Sequence, residues 1–271
     1  MPPSIIFLLV EGPHDAEFIA RLLNHRGFEQ RKKLSDIDPR FHKLFPRSYP
    51  QNESTPLTER HPVPTFYKNN GRWVVVFVGG GSKSAATLGA GLRSARLAGF
   101  DPDAIGIILD QDMEANPDVA RNRFIAEFTK EKDLPAPLDF RLTPGSVTTG
   151  TPRLGLFVLP DNQHPGALED LLLDCAEQNY CDLKSKAMGY RDDALNNSGL
   201  NAEDLEQFGT AGGQKDVSKR KKAWISAMGA ILVPSAAIQN SIRINRWLDG
   251  PALELPRIKA LRGFLDELTA F

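Results

Sequence analysis

The sequence predicts an α/β fold: a parallel sheet flanked by helices, with a helical addition at the carboxyl end. Three observations carry this reading. Short apolar runs occur as continuous blocks, the mark of strands buried on both faces. Segments of helical periodicity separate these runs. Beyond Gly166 the patterns are almost all helical.

The first strand is Ser4–Val10 (SIIFLLV), and the helix after it, 15–26, gathers Phe18, Ile19, Leu22 and Leu23 on one face. Residues 34–72 are proline-rich, charged and aperiodic, so they read as an inserted loop or lid. The second strand is WVVVFV (73–78), followed by a helix over 84–98. The third is Ala104–Asp110 (AIGIILD), followed by a helix over 117–132 with Asn116 as N-cap and Pro117 in its first turn. A fourth strand, LGLFVLP (154–160), completes the alternation. Helical patterns then cover 167–178, a stretch near 202–208, 218–228, 238–248 and 257–268. The working division is an α/β domain over 1–180, carrying the insert at 34–72, and a helical region over 181–271 packed on it.

Bulk composition excludes several classes. Hydrophobic residues make up 41% and charged residues 25%, as in ordinary globular chains rather than disordered ones. The net charge of −1 gives no global attraction to nucleic acid or membrane, so any such binding must come from a local patch. Cys175 and Cys181 have no CxxC spacing and read as reduced thiols. The apolar amino terminus lacks a basic leader and is too short to span a bilayer. A cytoplasmic protein with no membrane contact is expected.

The chemistry lies at the strand ends. The first strand runs into Glu11–Gly12 with Asp15 four residues on, and the third ends in Asp110–Gln111–Asp112. Open parallel sheets hold ligands outside the carboxyl ends of their strands. If these two strands are neighbours, Glu11, Asp110 and Asp112 converge. Clustered carboxylates without a counter-charge are destabilising, and a divalent cation removes that cost. Oxygen donors with no His or Cys among them suit Mg²⁺ or Mn²⁺. Asp15 fits a first-turn capping role equally well.

LLVEG before a helix, with IILDQD after an intervening strand–helix unit, resembles the TOPRIM domain. That domain is shared by topoisomerases, bacterial primases, a ribosomal RNA maturation nuclease and the overcoming-lysogenization-defect (OLD) nucleases. The resemblance covers roughly residues 4–180. It implies that Glu11 with Asp110 and Asp112 bind Mg²⁺ for phosphodiester chemistry. VEGPHD is similar to the EGxx[DE] form of the OLD-like nucleases, which adds Asp15 as a ligand. PDNQHPGALEDLLLD looks like their later acidic motif, which adds Glu169 and Asp170 for a second metal. Asp161 lies close by in sequence. The same segments and KAWISA also resemble a small family of stand-alone TOPRIM-like proteins. Without the resemblance, Glu169 and Asp170 read as acids favoured at a helix start.

SKRKKAW (218–224) is the dense cationic run. Within it Lys222 is the candidate for neutralising phosphate or transition-state charge; a solvated helix start is the plainer reading. VGGGSKSAA is not a Walker loop, because Ser82 stands where Gly is required before Lys83. Its backbone at Gly80, Gly81, Ser82 and Lys83 could still meet a phosphate. His14 beside the acids could donate to phosphate, though an exposed first-turn histidine is the plainer reading. The five histidines show no zinc spacing, and no GxSxG elbow supports a serine hydrolase.

These readings lead to a Mg²⁺- or Mn²⁺-dependent nuclease cleaving phosphodiesters in nucleic acid, as a defence or repair effector, with Glu11, Asp110 and Lys222 catalytic. The alternative is a non-catalytic TOPRIM-like binding subunit that works with an ATPase or other partner. A small-molecule phosphotransferase rests on the glycine loop alone.

Overall fold

In the computed structural model, which describes residues 4–45, 63–112, 114–134, 138–197 and 214–270, the four apolar runs are strands of one sheet. Six strands are found among the described residues: β1 (Ser4–Val10), β2 (Glu29–Arg31), β3 (Thr65–Asn69), β4 (Arg72–Val78), β5 (Ala104–Asp110) and β6 (Arg153–Leu159). Their order is β2-β3-β4-β1-β5-β6. The segment β4-β1-β5-β6 is parallel, and β3 and β2 extend it in antiparallel pairing.

The unbroken apolar runs follow from burial on both faces. In β1, Ile6, Leu8 and Val10 enter one core cluster while Ile5, Phe7 and Leu9 enter the other. β4 and β5 divide in the same alternating way. Helices α1 (Pro13–Asn24), α4 (Leu168–Asn179) and α8 (Pro256–Thr269) supply the first cluster, and α2 (Ser84–Leu97) and α3 (Pro117–Phe128) the second. The first cluster also takes Ala187 from α5 (Cys181–Asn197), Met228 from α6 (Gln214–Leu232) and Ile242 from α7 (Ile238–Ile244). The carboxyl-terminal helices therefore share the core of the sheet's α1 face. The helix expected near 202–208 lies outside the described residues.

The segment 34–72, expected as an inserted loop or lid, is partly sheet. It holds 3-10 turns at Leu34–Asp36 and Pro39–Leu44, and then β3, which forms a hairpin with β4. The turn is Asn70–Gly71, both at positive φ (44° and 80°), the backbone a two-residue hairpin requires. Phe41 packs against Phe66, Trp73 and Phe100, which anchors the second turn to the sheet. One helix end also shifts: the expected 238–248 helix stops at Ile244, and a 3-10 turn, Arg246–Leu248, carries buried Trp247.

Close approach of α8 depends on glycines in mid-strand. A Cβ at Gly106 would lie 2.3 Å from Leu268 Cδ2 and 2.8 Å from Leu8 Cδ1, and one at Gly155 would lie 2.8 Å from the Phe264 ring. Both leucines are fully buried and cannot swing into solvent. Gly106→Ala is expected to destabilise by about 1–3 kcal/mol through overpacking, seen as a lower urea midpoint at unchanged slope. An unchanged midpoint would show that α8 is free to shift.

Candidate functional site

Sheet topology selects the location. The chain leaves β1 for β4 on one side and leaves β5 for β6 on the other, so a crevice opens between the carboxyl ends of β1 and β5. Glu11 follows β1 and Asp110 ends β5. Strand alternation directs them differently: Glu11 continues the Ile5, Phe7, Leu9 series toward α2 and α3, whereas Asp110 continues the Ile108 series toward α1 and α4. The two still meet, because the Asp110 N–H donates to Glu11 Oε1 at 3.2 Å.

Helix starts supply the other contacts. Asp15, in the first turn of α1, is buried and accepts the Gly12 N–H through Oδ2 at 2.6 Å. Asp110 Oδ1 accepts the N–H of Leu168, the first residue of α4, at 3.1 Å. Glu169, one residue on, faces Lys222 of α6, with Nζ 3.8 Å from Oε1. Glu11, Asp15, Asp110, Glu169, His14 and Lys222 line one cleft of about 410 Å³, walled by Leu168, Leu172, Ile225 and Ile238. A second cleft of about 450 Å³ opens between α2 and α3, and Glu11 and Gly81 line both.

Proton affinities report the crowding. Burial, then the charges of Asp15, Glu11, Glu169 and Asp112, push the Asp110 carboxyl well above its ordinary value. Burial pushes Asp15 up to about 7, with Glu11 and Glu169 adding to the shift and the Gly12 N–H and Lys222 opposing it. Glu11 is raised by burial and by Asp112, against the Asp110 N–H and the charge of Arg123. Glu169 is raised by burial, against Lys222. Burial and then Lys222 hold His14 below the usual imidazole value.

The remaining candidates divide. Asp112 sits at φ 54°, its N–H donating to the Gly166 carbonyl at 2.7 Å, and it lines the α2–α3 cleft. Asp170 does not line the acidic cleft: Oδ2 accepts the Ala167 N–H at 3.1 Å and Oδ1 pairs with Lys221 Nζ at 2.5 Å. Asp161 is drawn away too, capping its own turn and binding His164 and Arg257. In the glycine turn, Gly80 donates its N–H to the Glu11 carbonyl at 2.8 Å, Gly81 lines both clefts and Ser82 one. Lys83 ends the 3-10 turn that leads into α2 and lines neither cleft.

Arg123 is a cleft residue that the sequence reading missed. It lines the α2–α3 cleft and pairs with Glu114 at 3.1 Å. Its signal was helical spacing: Ala120, Arg123, Phe124 and Glu127 share a face of α3, directly after the acidic end of β5. Lys221 was likewise passed over in favour of Lys222.

Among the described residues, no three acidic, His or Cys side chains are gathered to hold a metal ion as they stand. Each central carboxylate is turned to a nearby partner: Glu11 to the Asp110 N–H, Asp15 to that of Gly12, Asp110 to that of Leu168, Glu169 toward Lys222. The donor chemistry nonetheless fits a hard cation, since the cluster is oxygen-rich and short of compensating charge.

An acidic crevice at the carboxyl edge of a mostly parallel sheet thus defines the class of site. Residues 6–250 match the family described as "Protein of unknown function (DUF3226)", and the chain belongs to that family. The fold is similar to the crystal structure of a hypothetical protein from Pyrococcus horikoshii OT3, with a TM-score of 0.53 and 18% identity over 98% of this chain and 95% of that one. No curated protein matches the sequence.

The raised carboxyls set a pH dependence. An acid whose pKa is higher folded than unfolded contributes stability that is complete below the unfolded value and lost as pH rises through the folded one. For Asp15 that window runs from the usual carboxylate range to about pH 7. With chelator present, the melting temperature is expected to fall as pH rises from about 4 to 7, and Asp110→Asn to melt above the wild type at pH 8. A flat profile with no gain in the variant would contradict the crowding.

Proposed function

We propose that the acidic crevice is the centre of a divalent-cation-dependent nuclease that cleaves phosphodiesters in nucleic acid. The observation that supports this best is the meeting of Glu11 and Asp110 at the divergence point of the sheet, with Asp15 and Glu169 packed around them. The TOPRIM resemblance assigns the same strand-end acids to Mg²⁺, and is the reason for reading the crevice as phosphodiester chemistry.

In this reading Glu11, Asp15 and Asp110 hold one Mg²⁺ or Mn²⁺, with Asp112 and Glu169 beside them. Such a cation, when bound, activates water and stabilises the leaving oxygen of a phosphodiester. The chain's own contributions are separate. Lys222, at the mouth of the cleft with its side chain 61% exposed, can reach a phosphate oxygen that approaches the acids. His14, held toward its neutral form, can donate one hydrogen bond without adding charge. The apolar wall of Leu172, Ile225 and Ile238 limits water on that side of the reacting phosphate. Asp170 stays with Lys221 and holds the α4 start to α6, which keeps Lys222 in place.

The test is cleavage of plasmid, single-stranded DNA and RNA in Mg²⁺ and in Mn²⁺. The wild type is expected to cut at least one of these. Glu11→Ala and Asp110→Ala are each expected to abolish cutting while the thermal melt stays cooperative. Lys222→Ala is expected to slow it by about tenfold, equivalent to about 1.4 kcal/mol. Cutting that survives in both acid variants would place the chemistry elsewhere. A folded wild type that binds nucleic acid but cuts none would turn the reading to a binding subunit that acts with an ATPase or other partner.

A further inference from the structure

The α2–α3 cleft shares Glu11 and Asp112 with the reading above, but the rest of its lining has no role there. It is separated from the acidic cleft only by Glu11 and Gly81, which line both. Its character differs. Leu109, Ala85, Ala120 and Phe124 give it an apolar lining, and all four are buried. One cation, Arg123, stands in it with its side chain 49% exposed, beside the carboxylates of Glu11, Asp112 and Glu127. Of the five N–H donors of that guanidinium, Nη1 is committed to Glu114. Ser84, 3% exposed, also lines the cleft, but its buried hydroxyl lies over Gly79 and is not presented to a ligand.

We propose that the α2–α3 cleft is a nucleoside subsite, which takes the unpaired base and sugar adjoining the phosphate held at the acids. The inference rests on the phosphodiester reading of the acidic cleft and names the form of its substrate there: a single strand. Two features fit this occupant. A base has a flat apolar face that gains from leaving water for an apolar lining. The phosphate on its far side meets the free edge of the Arg123 guanidinium, whose planar fork suits phosphate oxygens. Lys222 on one side of the acids and Arg123 on the other then bracket the strand with positive charge. A base seated on this lining has its edge turned from a pairing partner, so a duplex would have to open to be bound here.

Two readouts separate this subsite from the centre itself. Binding of adenosine 5′-monophosphate in Mg²⁺, by isothermal titration, reads the cleft without any cleavage. The ratio of kcat/KM for a short single-stranded oligonucleotide to that for bis(4-nitrophenyl) phosphate, which has no nucleobase, reads selectivity. Arg123→Ala and Ala85→Met, the latter filling the cleft from α2, are each expected to weaken nucleotide binding at least tenfold. Each is also expected to lower the selectivity ratio at least tenfold. Nucleotide affinity and selectivity equal to wild type in both variants would overturn the subsite even if the centre cleaves. Failure to cleave either substrate, with nucleotide binding present and lost in the variants, would remove the nuclease reading and leave the cleft a nucleotide site. A wild type that binds no nucleotide would overturn the subsite outright.

Discussion

The molecule is organised around a repulsion. Parallel pairing of β1 with β5 brings two strands to the same edge, and each ends in a carboxylate. One hydrogen bond, from the Asp110 backbone N–H to the Glu11 side-chain Oε1, ties those ends together. Asp15 and Glu169 are then added by the first turns of α1 and α4, where helix N–H groups point at the acids. Such N–H groups and one lysine soften the repulsion without neutralising it. A chain selected only for stability has no physical reason to bury four acids in one place. A site built for a cation or for an approaching phosphate has one.

The rest of the architecture serves that edge. Carboxyl-terminal helices pack into the same core cluster as α1 and α4, so α6 can deliver Lys222 to the acids and Lys221 to the α4 start. Ion pairs knit these layers: Arg257 of α8 reaches both Asp161 after β6 and Asp174 of α4 at 2.9 Å. Arg21 of α1 meets Asp249, just past Trp247, at 2.6 Å. Mid-strand glycines let α8 lie close on β5 and β6. Among the described residues no helix is long and apolar enough to cross a membrane.

Much of this was legible in the sequence, for identifiable reasons. β1 and β5 were found to the residue because burial on both faces writes a continuous apolar run. Neighbouring Glu11 and Asp110 needed the sheet order, which periodicity does not carry. β3 was lost because prolines around it drew the eye from the Asn70–Gly71 turn, a strong hairpin signal that stood in plain view. α5 was missed because its sequence is mostly polar, with weak helical patterning. Asp170 was assigned to a metal by the resemblance alone; the residues themselves read as acids favoured at a helix start, and its bond to the Ala167 N–H is of that kind. Arg123 had no motif at all; only α3 following β5 brings it to the cleft.

The most direct test of the central claim is calorimetric titration of Mn²⁺ into the chelator-treated protein at pH 7, in two buffers of different ionisation enthalpy. Asp15, held at about 7, is still partly protonated at that pH and must release its proton to bind a cation. The account predicts saturable binding whose enthalpy differs between the buffers, and loss of that binding in Glu11→Gln. Absence of binding, or binding with identical enthalpy in both buffers, would contradict it.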